Sequence, residues 1–244
     1  MKKRIGKKIY NFLLFLDSSQ ATVLVFTELF LGSIVSIFSF ILFSKLSKEV
    51  IEKDKFNFDT IIINFVYQLR TPLLTKIMVF LSFIGSDLIV FLAFIIIILL
   101  IKKKYKNETV LFSFILAMGF IINILLKFLI RRPRPDIAPL VLETSYSFPS
   151  GHSMNSFVFY ITLSYFIFRF TRNKKLGMSI SLFCLFLIFL IGLSRVYLGV
   201  HYPSDVLAGF IGGAWWFVTA LLIEKTIIFY KLFKISKKAS FVNS

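Results

Sequence analysis

Residues 108–135 read ETVLFSFILAMGFIINILLKFLIRRPRP. Glu108 to Ile130 is an apolar run close to the roughly 20 residues that a helix needs to cross a bilayer. It carries one late charge, Lys127, and then breaks into a basic loop stiffened by Pro133 and Pro135. A charge at that depth is costly and usually functional, although a lysine can also snorkel to the headgroups.

Five similar runs flank it: Ala21 to Leu46, Pro72 to Ile101 behind the cap Thr71, His152 to Phe168, Leu176 to Tyr197 and Pro203 to Tyr230. The 244 residues are 57% hydrophobic and only 17% charged, with mean hydropathy +0.84, which excludes an ordinary soluble domain. The expected fold is all-α, a six-helix membrane bundle forming one domain over residues 21–230. A basic segment precedes it (1–20) and a basic tail follows (231–244). The short apolar run Phe12–Leu16, followed by Asp17, reads as an amphipathic surface helix and not as a signal peptide. The single cysteine, Cys184, lies in a span, so an intramolecular disulfide is excluded.

Net charge is +17, but 18 of the 29 Lys and Arg fall in four short clusters beside the spans: Lys2–Lys8, Lys102–Lys106, Arg169–Lys175 and Lys225–Lys238. That is the pattern of cytoplasmic loops and not of a nucleic-acid-binding face. Six crossings with both termini cytoplasmic put all four clusters on one side. Connections 47–70, 131–150 and 198–202 then lie outside. In the first of these, Ile61, Ile62, Phe65, Val66 and Leu69 recur at helical spacing, which predicts a helix lying in the interface. Lys127, Arg131, Arg132, Arg134 and Arg195 break the positive-inside tendency, as an anion site would require.

Only two histidines occur, His152 and His201. His201 stands four residues before Asp205, with Pro203 between them at a helix start, so the two side chains share a face. The carboxylate can fix one ring nitrogen and leave the other free to attack phosphorus; an ordinary helix-start ion pair would read the same way. His152 ends Pro149-Ser150-Gly151-His152. Ser150 suits an N-cap, Gly151 admits an anion close to the backbone, and His152 can protonate a leaving oxygen; a plain capped helix would also fit. Lys127, Arg134 and Arg195 can neutralise a phosphoryl transition state or hold lipid headgroups. Arg131, Arg132 and Asp136 are expected to stabilise the loop or contact headgroups, and not to serve the chemistry. Glu28 and Asp87 have no assignable partner, Asn123 is expected to bond between helices, and Trp215 and Trp216 to pack. No metal or cofactor is expected, because two histidines without an acid cluster make a poor metal site.

Lys127-x6-Arg134-Pro135, Pro149-Ser150-Gly151-His152 and Ser194-Arg195-x5-His201-x3-Asp205 together resemble the three-part signature of the type-2 phosphatidic-acid phosphatase family, which is related to vanadium-dependent haloperoxidases. The resemblance implies His201 as nucleophile, Asp205 as its orienter and His152 as acid. It implies Lys127, Arg134, Ser150, Gly151 and Arg195 as phosphate ligands. The expected activity is metal-independent hydrolysis of a lipid phosphate or diphosphate at the outer leaflet of the cell membrane, through a phosphohistidine. Undecaprenyl diphosphate is favoured over phosphatidylglycerophosphate and phosphatidate. Transfer to an alcohol, vanadate-dependent peroxidation and a non-enzymatic lipid transporter or headgroup binder are the competing readings. The expected partners are the lipid substrate and surrounding lipids, with no nucleic acid and no obligate protein partner.

Overall fold

Side-chain caps set three helix starts. Thr71 Oγ1 accepts from the Leu74 N–H at 3.2 Å with Pro72 behind it, Ser150 Oγ accepts from Ser153 at 3.3 Å, and Asn173 Oδ1 accepts from Leu176 at 3.1 Å. The structure, a computed structural model, describes residues 18–53, 56–136, 138–171 and 173–242. Within these lie eight helices: α1 Ser18–Lys53, α2 Asn57–Gln68, α3 Pro72–Ile84, α4 Asp87–Lys102, α5 Lys106–Ile130, α6 Gly151–Phe170, α7 Lys174–Tyr197 and α8 Pro203–Val242. The surface helix expected around Phe12–Leu16 lies outside the described residues. The backbone of the basic tail continues α8 to Val242.

α6 is the hub, packed against α5, α7 and α8, while α1 lies along α8. The core joins Phe112 and Ile115 of α5, Val158 and Phe159 of α6, Ile188 and Ile191 of α7, and Trp216 of α8. Trp216 donates to the Ile115 carbonyl at 2.8 Å, and Asn123 Nδ2 donates to Met154 Sδ at 3.5 Å between α5 and α6. A Cβ on Gly209 would stand 2.9 Å from the Ser150 carbonyl oxygen, so only glycine lets the starts of α6 and α8 approach this closely. The outside is studded with exposed Phe, Ile, Leu and Val from α1, α3, α4, α5 and α7, a surface suited to lipid.

Among the described residues, five segments are long and apolar enough to cross a membrane: Val25–Glu52, Pro72–Lys102, Lys106–Ile130, Lys174–Tyr197 and Pro203–Tyr230. The sequence reading has a sixth, corresponding to α6. That helix is less apolar because its buried faces carry Ser153, Ser156, Thr162 and Ser164, which suit a helix enclosed by others. The second run departs from the sequence expectation in being two helices. α3 ends at the Gly85 cap, where a Cβ would meet Ile191 Cγ2 at 2.4 Å, and Tyr160 Oη donates to the freed Ile84 carbonyl at 2.9 Å.

The helix expected in 47–70 forms as α2, with Ile61, Ile62, Phe65 and Leu69 of the expected stripe turned outward and Val66 turned inward. Ile61 and Phe65 are 68% and 62% exposed, Ile62 and Leu69 are also exposed, and the face turned inward is Asp59, Ile63 and Val66. These three recur at i, i+4 and i+7, so one acid shares the buried face with two aliphatics.

The C-terminal ends of α5 and α7 and the N-terminal ends of α6 and α8 meet at one end of the bundle. The Ser150 N–H bonds to the Asp205 carbonyl at 3.0 Å, and the 131–150 loop closes over this end through Ser147 N–H to Arg132 O at 2.9 Å and Leu140 N–H to Leu198 O at 2.9 Å.

Candidate active site

His201 lies in the five-residue turn 198–202 between α7 and α8 and is 1% exposed. Arg134 Nη1 lies 3.3 Å from its Nε2, and Asp205 Oδ2 lies 3.3 Å from its Nδ1. A guanidinium has no acceptor, so Nε2 must carry the lone pair and Nδ1 the proton donated to Asp205. Burial, and then the charges of Arg134, Arg195 and Lys127, hold His201 well below the 6.5 of a free imidazole; a hydrogen bond with the Ser147 backbone opposes this weakly. The ring is therefore neutral with Nε2 turned toward the cations.

Asp205 is fully buried. Its Oδ2 also accepts from the Tyr202 N–H at 2.9 Å and from the Ser147 hydroxyl, and its Oδ1 accepts from Arg132 Nη1 at 2.5 Å. Arg132, expected to stabilise the loop or contact headgroups, is 2% exposed and joined to this carboxylate. It also donates through Nη1 to Ser204 Oγ at 2.8 Å and through Nη2 to Asp59 Oδ2 at 3.2 Å, and it lies over the Tyr202 ring at 4.0 Å. Asp59, 1% exposed, further accepts from the Ser204 N–H at 2.8 Å and hydroxyl at 2.6 Å. Removing one member of such a buried ionic set costs about 3–5 kcal/mol, because it strands a charge.

The three expected phosphate cations stand on the other side of His201. Lys127 Nζ donates to the Tyr146 carbonyl. Arg134 donates to Ser145 O at 2.7 Å, Val200 O at 2.7 Å and Ser145 Oγ at 3.0 Å. Arg195, 1% exposed, donates to Ser82 Oγ and to Glu143 Oε1, whose other oxygen lies 3.5 Å from Arg134 Nη2. Arg195 Nε has no partner, the one buried side-chain polar atom so placed among the described residues. His152, half-buried in the first turn of α6, has Arg195, His201, Arg134 and Lys127 as its electrostatic neighbours. Gly151 faces Asn123 and Lys127, with an added Cβ 3.1 Å from Asn123 Oδ1 and 3.7 Å from Lys127 Cε. Ser150 is fully buried, its hydroxyl oxygen taken up by Ser153.

All eight residues singled out in the sequence therefore meet at one end of the bundle. Glu143, Ser147, Ser204 and Asp59 carry no expectation from the sequence, and Arg132, a loop residue, is joined to the site through Asp205. The inner-face register of α2 was the available signal for Asp59; Glu143 carried none beyond being an acid in a basic loop. Arg131 is exposed, caps α5 with a left-handed φ of 53°, and bonds only locally to Phe128 O at 2.9 Å. Glu28 pairs with Lys225, and Asp87 with Ser86 Oγ at 3.4 Å, both away from the site. Among the described residues, no group of three or more His, Cys, Asp or Glu is placed to hold a metal ion.

A cavity of about 590 Å³ is lined by Lys127, Arg132, Arg134, Glu143 and Tyr146 and by the apolar Ile124 and Phe128 of α5. The apolar wall continues onto exposed Leu125 and Phe120.

Membrane-length helices that enclose a neutral, carboxylate-held imidazole, a second imidazole and three cations define a membrane enzyme for anionic esters. The PAP2 superfamily model matches residues 108–228. The chain is 36% identical over 149 residues to phosphatidylglycerophosphatase B of Bacillus subtilis, covering 58% of this chain and 71% of that one. It is 31% identical over 160 residues to undecaprenyl-diphosphatase of Sulfolobus acidocaldarius, covering 63% and 72%. The crystal structure of a transmembrane PAP2-type phosphatidylglycerolphosphate phosphatase from Bacillus subtilis superposes with TM-score 0.72 at 31% identity, covering 79% of this chain and 96% of that one. The chain belongs to the PAP2 superfamily. Like these phosphatases, it is a multi-pass membrane hydrolase of phosphoric monoesters or diphosphates.

Proposed function

We propose that this protein removes the terminal phosphate of a membrane lipid at the outer face of the cell membrane, without a metal, through a phosphohistidine on His201. The observation that carries this reading is the His201 Nε2 lone pair, 3.3 Å from Nη1 of Arg134, a residue that also lines a cavity shared by the cation Lys127 and the apolar Ile124 and Phe128. The cations receive the phosphate, and Ile124 and Phe128 receive the start of the lipid tail. Phosphatidylglycerophosphate and undecaprenyl diphosphate are the headgroup types that the relatives' names supply, and both end in a phosphate of the required kind.

In the proposed mechanism the phosphoryl oxygens replace the Glu143 carboxylate on Arg195 and Arg134 and engage Lys127. Nε2 then attacks phosphorus in line, the bond from phosphorus to the lipid oxygen breaks, and that oxygen takes a proton from His152. Asp205 stabilises the positive charge that builds on the ring, while the cations offset charge on the equatorial oxygens. Water next attacks phosphorus, giving its proton to His152, and the P–N bond breaks to regenerate neutral His201 and release inorganic phosphate.

Six crossings, with both termini cytoplasmic and the site outside, fit Lys102–Lys106 and Lys174–Lys175 lying at the helix ends opposite the site. A cysteine introduced at Leu142, which is 97% exposed on the site loop, should react with a membrane-impermeant maleimide on intact cells, whereas the native Cys184 is buried. Protection of residue 142 would reverse the orientation. Purified protein should release phosphate from phosphatidylglycerophosphate or undecaprenyl diphosphate in EDTA, and His201→Ala should not. A strict metal requirement, or an active His201→Ala, would end the proposal.

A further inference from the structure

We propose that Asp59 and Arg132 form a buried clamp that positions Asp205 against His201, making the surface helix α2 part of the active site. This rests on the phosphatase reading above, since it assigns the clamp to the reacting histidine. Asp59, Arg132, Ser204 and Asp205 are each 2% exposed or less. They come from α2, the 131–150 loop and the first turn of α8, so nothing local holds them together.

The way the guanidinium is divided carries the inference. Left with one carboxylate, a guanidinium prefers to take both of its oxygens. Arg132 instead gives Nη1 to Asp205 Oδ1 at 2.5 Å and Nη2 to Asp59 Oδ2 at 3.2 Å. Asp205 Oδ2 is thereby kept for the His201 Nδ1–H, the Tyr202 N–H and the Ser147 hydroxyl. Asp59 also fixes the start of α8 by accepting from the Ser204 N–H at 2.8 Å and hydroxyl at 2.6 Å, two bonds that set where Asp205 can stand. The Tyr202 ring, 4.0 Å from the guanidinium carbon, restricts the plane in which Arg132 lies. With Asp59 removed, Arg132 can swing to chelate Asp205, drawing Oδ2 from the ring and loosening the His201 tautomer.

Asp59 and Arg132 reach no reacting atom, so they are positioning residues. A positioning role predicts a fall in kcat with KM nearly unchanged, and predicts that the effect disappears once Asp205 can no longer act. The test is a cycle of Asp59→Asn, Asp205→Asn and the double variant, assayed for phosphate release from the same lipid phosphate. Asp59→Asn should lower kcat by about 10–100-fold, the range typical of residues that orient a reactive group through a second contact, and leave KM within about threefold. The double variant should match Asp205→Asn within about threefold. Losses that multiply, or an Asp59→Asn kcat within about threefold of wild type, would overturn the clamp. If Asp59→Asn does not accumulate in membranes, Arg132→Lys in the same cycle keeps the charge but cannot fork, and the same outcomes decide. His201→Ala runs beside it: an inactive His201→Ala with an unaffected Asp59→Asn overturns the clamp alone, and an active His201→Ala overturns the phosphatase reading and the clamp together.

Discussion

Two sets of charges flank His201, and they are built on opposite plans. Behind the ring, Arg132 lies between Asp59 and Asp205, all three buried and joined by ion pairs. In front of it, Lys127, Arg134 and Arg195 face one acid, Glu143, which is 26% exposed at its side chain, and the Arg195 Nε is left without a partner. The rear set pairs one guanidinium with two carboxylates. The front set has three cations against one carboxylate, a surplus of two positive charges that a phosphoryl dianion would balance. A rigid rear fixes the nucleophile, and an under-neutralised front exchanges anions.

The largest effect that can break this contrast is at the ring between the two sets. His201→Ala should lower phosphate release by about 10⁴-fold or more, as loss of a covalent nucleophile does, and a retained rate would dissolve the distinction. Asp205→Asn should come next, at roughly 10³–10⁴-fold in kcat, because the ring loses the acceptor that fixes its tautomer. In the front set, Arg195→Ala should cost roughly 10²–10³-fold in kcat/KM, and orthovanadate should inhibit it less well. Glu143→Gln should move in the opposite direction. With the competing carboxylate gone, inhibition by vanadate and inorganic phosphate should tighten by about 3–10-fold, in line with the coupling energy of a partly exposed ion pair. A Glu143→Gln variant with weaker anion inhibition would mean that Glu143 supports phosphate binding and does not compete with it.

The pH profile sharpens the same contrast. His201 must be unprotonated to attack, and it is held well below 6.5, so the protonated fraction is lost as pH rises through that lowered value. The acid limb of kcat/KM should therefore fall off below pH 6.5, with activity retained as pH drops through the range where a free imidazole would already be half protonated. A limb at or above 6.5 would show a ring less buried, or less surrounded by cations, than the geometry here.

The site was legible in the sequence where chemistry forces particular residues into short spacings. His201 and Asp205 share a helix start, Ser150 caps α6, and Arg134 sits between two prolines, so each can be placed from its neighbours alone. Arg132 was not legible, because the acid that explains its burial, Asp59, is 73 residues away on another helix. The helical spacing of Ile61, Ile62, Phe65, Val66 and Leu69 located α2, but lipid and protein interior are equally apolar, so it did not show that Ile63 and Val66 face in while Ile61 and Phe65 face outward. The break between α3 and α4 falls at Gly85-Ser86-Asp87, a local stop-and-start signal inside an otherwise apolar run. The contact of Gly85 with Ile191 and the Tyr160 hydrogen bond, neither local in sequence, show what holds the chain there.

Rapid quenching of turnover on a lipid substrate labelled in its terminal phosphate, in EDTA, addresses the proposed chemistry most directly. A nucleophilic His201 predicts labelled protein that survives alkaline quenching, is lost in acid and is absent from His201→Ala. Label that is stable in acid, label that persists in His201→Ala, or turnover that stops when metal is chelated would contradict it.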